Sequence, residues 1–232
     1  MKIKIVLATG LLFATSSTFA QWAGEGSLAF SNSSGNSETS SLAAALNLSK
    51  ESGQWKHSIG FDAVSSTQED ATTGEAYTLS GQSDYNFTGP YSAFAGLRYQ
   101  TDRFSGFDSQ TSLTGGLAWN IISSETTSFD AQLGAGYRDS ELANNGGSES
   151  EAIFTVGLAY AHKLTETTDL DLGFLTESGS SNTYSEFNAA IRVAISDALG
   201  LRAGYQARNN SDAPAGSTST DTLVTLGVSY NF

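Results

Sequence analysis

The sequence contains no cysteine, one methionine and two prolines in 232 residues. Without cysteine there is no disulfide framework, no thiolate metal site and no cysteine nucleophile. Basic residues are also scarce: 11 Lys and Arg stand against 24 Asp and Glu, a formal net charge of −13. Such a chain repels phosphate backbones, which argues against nucleic acid as a partner. Charged residues of all kinds make up only 15%, well below the roughly 25% usual in a soluble domain. Long apolar runs are missing too. After the first twenty residues no stretch reaches the roughly 18 apolar residues of a transmembrane helix. What the chain does have is 24 glycines and 11% aromatic residues, and a disordered acidic tail would not carry so many aromatics.

Residues 1–20 read as an export signal. Lys2 and Lys4 precede an apolar stretch from Ile5 to Ala14, and Thr18-Phe19-Ala20 supplies the small residues of a cleavage site. The apolar stretch is too short to span a membrane as a helix. No cysteine follows the site, so a lipoprotein anchor is not expected. The division expected is a signal peptide at 1–20 and one domain at 21–232.

That domain alternates with period two. Trp22, Gly24, Gly26, Leu28 and Phe30 share one parity, as do Leu42 to Leu48, Trp55 to Phe61 and Tyr91 to Tyr99. The same dyad returns in Leu113 to Ile121, Phe129 to Tyr137, Phe154 to Tyr160, Phe187 to Ile195 and Val224 to Phe232. Successive side chains on a strand point to opposite faces, so this is the strand signature. Twelve such sets are present. Short connections (Ser52-Gly53-Gln54, Thr88-Gly89-Pro90, Ser123 to Thr127, Thr165 to Thr168, Ser196-Asp197-Ala198) alternate with longer polar ones. The latter include Thr67 to Glu75, Asp102 to Asp108, Ser140 to Ser150, Ser178 to Thr183 and Asn209 to Thr220.

Transmembrane barrels have an even number of antiparallel strands, short periplasmic turns and longer extracellular loops. The fold expected is therefore all-β: a closed antiparallel transmembrane β-barrel of twelve strands. The competing architecture is a soluble sandwich with one buried face. Three features weigh against it. Aromatics such as Trp22, Trp55, Phe87, Tyr91, Trp119 and Phe129 abut the short turns, as an interfacial girdle requires. Arg98, Arg192 and Arg202 lie mid-strand on the face opposite the apolar one. Both termini are strands, which lets the sheet close and lose its edges. The terminal Phe232 closes an aromatic dyad and is read as an assembly signal for the outer-membrane assembly machinery.

Several stretches resemble a known family. They are Ser83-Asp84-Tyr85-Asn86-Phe87, Leu97-Arg98-Tyr99 and the run Asp102-Arg103-Phe104-Ser105-Gly106-Phe107-Asp108. Trp22 with Gly24-Glu25, Gly35-Asn36 with Thr39, and Asn210-Ser211-Asp212 with Pro214 and Gly216 extend the match along the whole domain. Together they resemble the salt-induced outer-membrane proteins, a family otherwise labelled a domain of unknown function. The resemblance implies a barrel in the outer membrane of a Gram-negative bacterium, linked to salt or osmotic stress. It implies no activity and no catalytic residues.

Chemistry is sparse. His57 and His162 share parity with the apolar faces and sit near short turns, so they are expected at the rim and not beside a nucleophile. The acids Glu69, Asp70, Glu75, Asp139, Glu141, Glu149 and Glu151 read as solvated loop residues, in a spacing that matches no metal loop. No catalytic residue, metal or cofactor is expected. By parity the inward face carries Asp84, Arg98, Asp130, Arg138, Asp169 and Asp171, with Glu186, Arg192, Arg202 and Arg208. These form a candidate ladder of charge pairs, accompanied by Glu25, Lys56, Asp62, Lys163 and Glu177. Inward glycines, Gly116, Gly136, Gly157 and Gly200 among them, are expected to leave room for long side chains. Arg192 is expected opposite Arg202, with Asp169 and Asp171 as their partners. Eight-stranded barrels are filled and sixteen-stranded ones conduct, so twelve strands leave two readings. One is a stress-related envelope protein with a side-chain-filled lumen; the other is a narrow channel for ions or small solutes. The partners expected are outer-membrane lipid, lipopolysaccharide and the assembly machinery, and nothing demands more than a monomer.

Overall fold

The computed structural model describes residues 22–33, 39–68, 71–102, 107–143, 147–212 and 219–232. The expected signal peptide and Gln21 lie outside the described residues. Twelve strands follow one another: β1 Ala23–Ser33, β2 Thr39–Ser52, β3 Trp55–Gln68, β4 Ala71–Asn86, β5 Tyr91–Asp102 and β6 Phe107–Ser123. The second half continues with β7 Thr127–Leu142, β8 Ser148–Thr165, β9 Thr168–Ser178, β10 Thr183–Ala194, β11 Leu199–Asn210 and β12 Thr220–Asn231. Each strand pairs antiparallel with its neighbours in sequence, and β12 returns to β1, so the sheet closes into a barrel.

The period-two pattern explains why these segments are strands and which way each one faces. The apolar parity points outward. Leu28, Leu117, Leu133 and Leu226 are all more than half exposed, which would be costly in water for so many large side chains on one continuous surface. The polar parity points into the barrel. The interior is consequently polar, with few large apolar side chains, Phe94, Phe107, Ile153 and Tyr184 among them, buried within it.

Closure at the short-turn end is tight. Register pairing of Ser52 with Trp55 leaves Gly53 and Gln54 as a two-residue hairpin loop. Gly53 has φ of 62° there, a left-handed value that glycine adopts without a Cβ clash and that hairpin loops of this length need. Aromatic side chains ring this end. Trp55 meets Tyr85 edge-on at 5.0 Å, Tyr91 stacks on Trp119 at 6.0 Å, and Tyr230 stacks on Phe232 at 6.2 Å. Tyr77, Tyr99, Tyr137 and Tyr205 stand further along the same outward face, toward the loop end.

Two sequence expectations need correction. The longer polar connections are partly strand: β3 runs to Gln68 and β4 resumes at Ala71, within the stretch read as the loop Thr67 to Glu75. Likewise β7 runs to Leu142 and β8 begins at Ser148. Backbone pairing continues past the last apolar dyad because a ladder needs only backbone partners, not an apolar face. The second correction concerns glycine. Gly157 and Gly200 do make room for long side chains, those of Gln132 and Arg192. At Gly116 and Gly136 a Cβ would instead strike the backbone carbonyls of Leu133 and Leu113 on the adjacent strand. These glycines permit a sharp bend of the wall between β6 and β7. Gly227 stands in the same relation to Leu28 where β12 meets β1, on the opposite side of the ring.

Candidate functional site

The lumen holds the only dense chemistry among the described residues, arranged in three tiers. At the short-turn end Arg192 of β10 faces Arg202 of β11 in register. Two guanidiniums side by side repel. Glu25 of β1 compensates them: its carboxylate lies 3.7 Å from Arg192 Nε and 3.5 Å from Arg202 Nη1. Asp169 of β9 adds a contact of 3.7 Å to Arg192, and Arg192 Nε donates to Ser229 Oγ at 3.1 Å.

The middle tier spans the barrel. Arg98 on β5 and Glu186 on β10 lie almost opposite each other in a ring of twelve strands, yet their side chains approach to 3.4 Å. Arg98 Nη2 donates to the Tyr184 hydroxyl at 2.7 Å, and its guanidinium carbon sits 4.4 Å from the centre of the Tyr184 ring. That geometry adds a cation–π attraction to the hydrogen bond. The Tyr184 hydroxyl donates in turn to Glu186. Arg208 lies 3.4 Å from the same carboxylate, and Asn188 Nδ2 donates to it at 2.7 Å. One carboxylate therefore collects two arginines, a tyrosine and an amide, which compensates much of the cost of burying the charges.

The third tier closes the loop end. Arg138 of β7, almost wholly buried, lies 2.6 Å from Glu151 of β8 and 3.7 Å from Glu177 of β9, and donates to the Asn182 carbonyl. Ser112 donates to Glu177 at 3.0 Å. Glu151 also accepts the Ser181 backbone N–H at 2.8 Å, so the β9–β10 connection is folded over the mouth. Thr78, Gln100, Gln110, Ser140 and Thr155 are buried in this half.

The short-turn half is hollow by comparison. Cavities of about 740 and 700 Å³ adjoin there and share Lys56, Ser58, Gln82 and Gln132 in their linings. The lumen is thus wide toward the short-turn end and crossed by ion pairs in the middle and toward the loop end.

The ten residues read as a charge ladder divide accordingly. Arg98, Glu186 and Arg208 meet in the middle tier, Arg138 joins Glu151 and Glu177, and Arg192 and Arg202 share Glu25. Of the two aspartates nominated for the Arg192–Arg202 pair, Asp169 reaches Arg192 but Asp171 makes no ion pair among the described residues. Glu25 takes its place because closure brings β1 beside β12, on the far side of β11 from β9. Asp84 and Asp130 pair with amides, Gln82 at 2.9 Å and Asn120 at 2.7 Å, and form no ion pair among the described residues. Glu151, read as a solvated loop acid, is a lumen residue; its shared parity with Ile153 and Thr155 would have shown this. Tyr184 and Asn182 were missed. Tyr184 shares the parity of Glu186, which is the available signal, whereas nothing local marks Asn182. His57 and His162 each hydrogen-bond a hydroxyl on the neighbouring strand, Ser83 at 2.9 Å and Thr127 at 2.8 Å, and stack on outward aromatics. Of the motif residues, Asp102 ends β5 and Asp108 is exposed in β6, while Arg103, Phe104 and Gly106 lie outside the described residues. Phe232 closes the barrel against Gly24.

Comparison with known proteins agrees with this architecture. The model of the family described as "Protein of unknown function, DUF481" matches residues 26–232. The chain belongs to that family. Within curated sequences it is similar to "Uncharacterized protein YdiY" of Escherichia coli (strain K12), at 28% identity over 199 residues, covering 85% of this chain and 78% of that protein. Among solved structures it is similar to an outer-membrane channel from Pseudomonas putida F1, with a TM-score of 0.52 and 13% identity over 91% of this chain and 95% of the other. It is also similar to the NanC porin, with a TM-score of 0.51 and 10% identity over 89% and 97%. At such identities the likeness is one of fold: that of outer-membrane barrels.

Proposed function

We propose that this DUF481 protein is an outer-membrane barrel of a Gram-negative envelope, exported by the signal peptide 1–20, whose lumen is closed by its own wall. The observation that carries the reading is the Arg98–Tyr184–Glu186–Arg208 tie, which joins opposite walls across the middle of the lumen. The outward apolar face, the aromatic ring at the short-turn end and the likeness in fold to outer-membrane channels support the membrane placement. The resemblance of the Asp102–Asp108 run supports a role under salt or osmotic stress. Phe232 serves as the assembly signal, and lipid and lipopolysaccharide cover the outward face of a monomer. The protein is not an enzyme in this reading; the histidines face outward, and Glu25, Glu151, Glu177 and Glu186 are engaged in ion pairs between strands.

A second reading, a narrow channel, is favoured by the wide short-turn end, since about 740 Å³ of cavity is more than a purely filled interior needs. Planar-bilayer recording on the purified full chain separates the two. The closed barrel gives no steps above the baseline, whereas a working channel gives discrete, ion-selective steps. Migration in SDS gels that changes on boiling checks the barrel in the same preparation.

A further inference from the structure

The hollow at the short-turn end is lined unevenly. On its β3–β6 side one cross-strand row carries Ser58, Gln82, Gly96 and Thr114, each opposite the next in register. All four line the cavity of about 740 Å³. Gln132 of β7 lines it too, lies over Gly157 and meets Gln82 at 3.5 Å, with β5 and β6 between their strands.

Gly96 makes a notch in this row. A Cβ there would lie 3.4 Å from Thr114 Oγ1 and 3.7 Å from Gln82 Oε1, which is ordinary contact. Neither a clash at Cβ nor a turn requires glycine here, in contrast to Gly116 and Gly136. Glycine inside a strand weakens it and marks a place where other atoms come close to the backbone. At Gly96 two oxygens flank the space a side chain would fill.

The hydrogen-bonding capacity around the notch is unspent. Ser58 and Thr114 make no side-chain hydrogen bond among the described residues. Gln82 Nε2 donates to Asp84 at 2.9 Å, while its Oε1 accepts nothing among the described residues. The contact between Gln82 and Gln132 is at the long limit for a hydrogen bond, so a hydroxyl group can replace it. Hydroxyls and amides both donate and accept, and the uncharged group that answers both needs is another hydroxyl. The charges bordering the row carry both signs: Lys56 opposite Asp84 on the short-turn side, Arg98 and Glu177 on the deeper side. Neither a net anion nor a net cation is matched by such a border. Across the lumen Leu175 of β9 lines both hollows and offers an apolar surface to C–H groups.

We propose that Ser58, Gln82, Thr114 and Gln132, arranged around the Gly96 notch, bind an uncharged polyhydroxylated solute, a neutral saccharide, that enters from the short-turn end. One hydroxyl of the sugar sits in the notch between Thr114 Oγ1 and Gln82 Oε1. A second replaces the Gln82–Gln132 contact, and the C–H face of the ring turns toward Leu175. The cavity falls within the roughly 300–1,000 Å³ of small-ligand pockets. The site goes beyond the closed-barrel reading and is independent of whether the lumen conducts.

The test is saturation-transfer NMR on the folded full chain in a detergent without a sugar headgroup. Glucose and maltose are the probes, and detergent alone is the baseline. The parent should give saturable transfer to the ring protons of at least one probe. Gly96→Val fills the notch and should weaken binding roughly tenfold or more. Thr114→Val keeps the shape of the row, removes one hydroxyl and should weaken binding about fivefold, the loss of one hydrogen bond. Heat-modifiable migration confirms that each variant is folded, and if Gly96→Val does not refold, Thr114→Val decides. The site is overturned by transfer no greater than the baseline for both probes, or by folded variants that bind like the parent. Glucuronate or glucosamine binding roughly tenfold more tightly than glucose would mean a charged ligand and overturn it too.

Discussion

Gly24 and Phe232 hold the first and last strands together at the short-turn end. Gly24 N–H donates to the Phe232 carbonyl at 2.9 Å, and Phe232 N–H donates back to the Gly24 carbonyl at 3.0 Å. The Phe232 ring occupies the space a side chain at residue 24 would take: a Cβ there would lie 2.6 Å from its Cζ. The residue read as an assembly signal is therefore also the last rung of the seam.

Gly24→Val should displace the Phe232 ring and strain the short β1–β12 ladder. Overpacking of this kind costs about 1–3 kcal/mol, here in a junction of six register pairs. The urea midpoint of the folded barrel in lipid should fall, with a smaller heat-modifiable fraction after refolding. Unchanged refolding yield and midpoint would show that the ring has somewhere else to go.

Removing the charge at the centre of the middle tier should open the lumen. Glu186→Gln leaves Arg98 and Arg208 without their shared carboxylate. Losing one member of a buried ionic group costs about 3–5 kcal/mol, and two facing arginines should then separate. Single-channel recording should show new, anion-selective steps that the parent lacks. A variant as silent and as stable as the parent would mean that the tie neither closes nor braces the lumen.

Facing can be tested by depth. Leu117→Arg and Leu133→Arg put a charge on outward positions exposed by 63% and 56%, and each should cost about 2–4 kcal/mol if that face meets lipid. Thr114→Arg points the same charge into the lumen and should cost less. Equal costs, from chemical denaturation in lipid, would contradict the outward assignment.

The number of strands, the direction of every apolar face and the pairing of the two termini were legible in the sequence, because alternation is a local property. A strand sends successive side chains to opposite faces whatever lies beyond it. The same parity placed Arg98, Arg192, Arg202 and Glu186 inside, and would have placed Glu151 and Tyr184 there had it been followed past the last apolar dyad. Which of them meet was decided only by tertiary structure. Arg98 and Glu186 are 88 residues apart and touch because closing twelve strands, with the tilt and stagger that closure imposes, puts β5 across from β10. Glu25 displaced Asp171 as the acid beside Arg202 for a similar reason: closure carries β1 round to that side of the lumen.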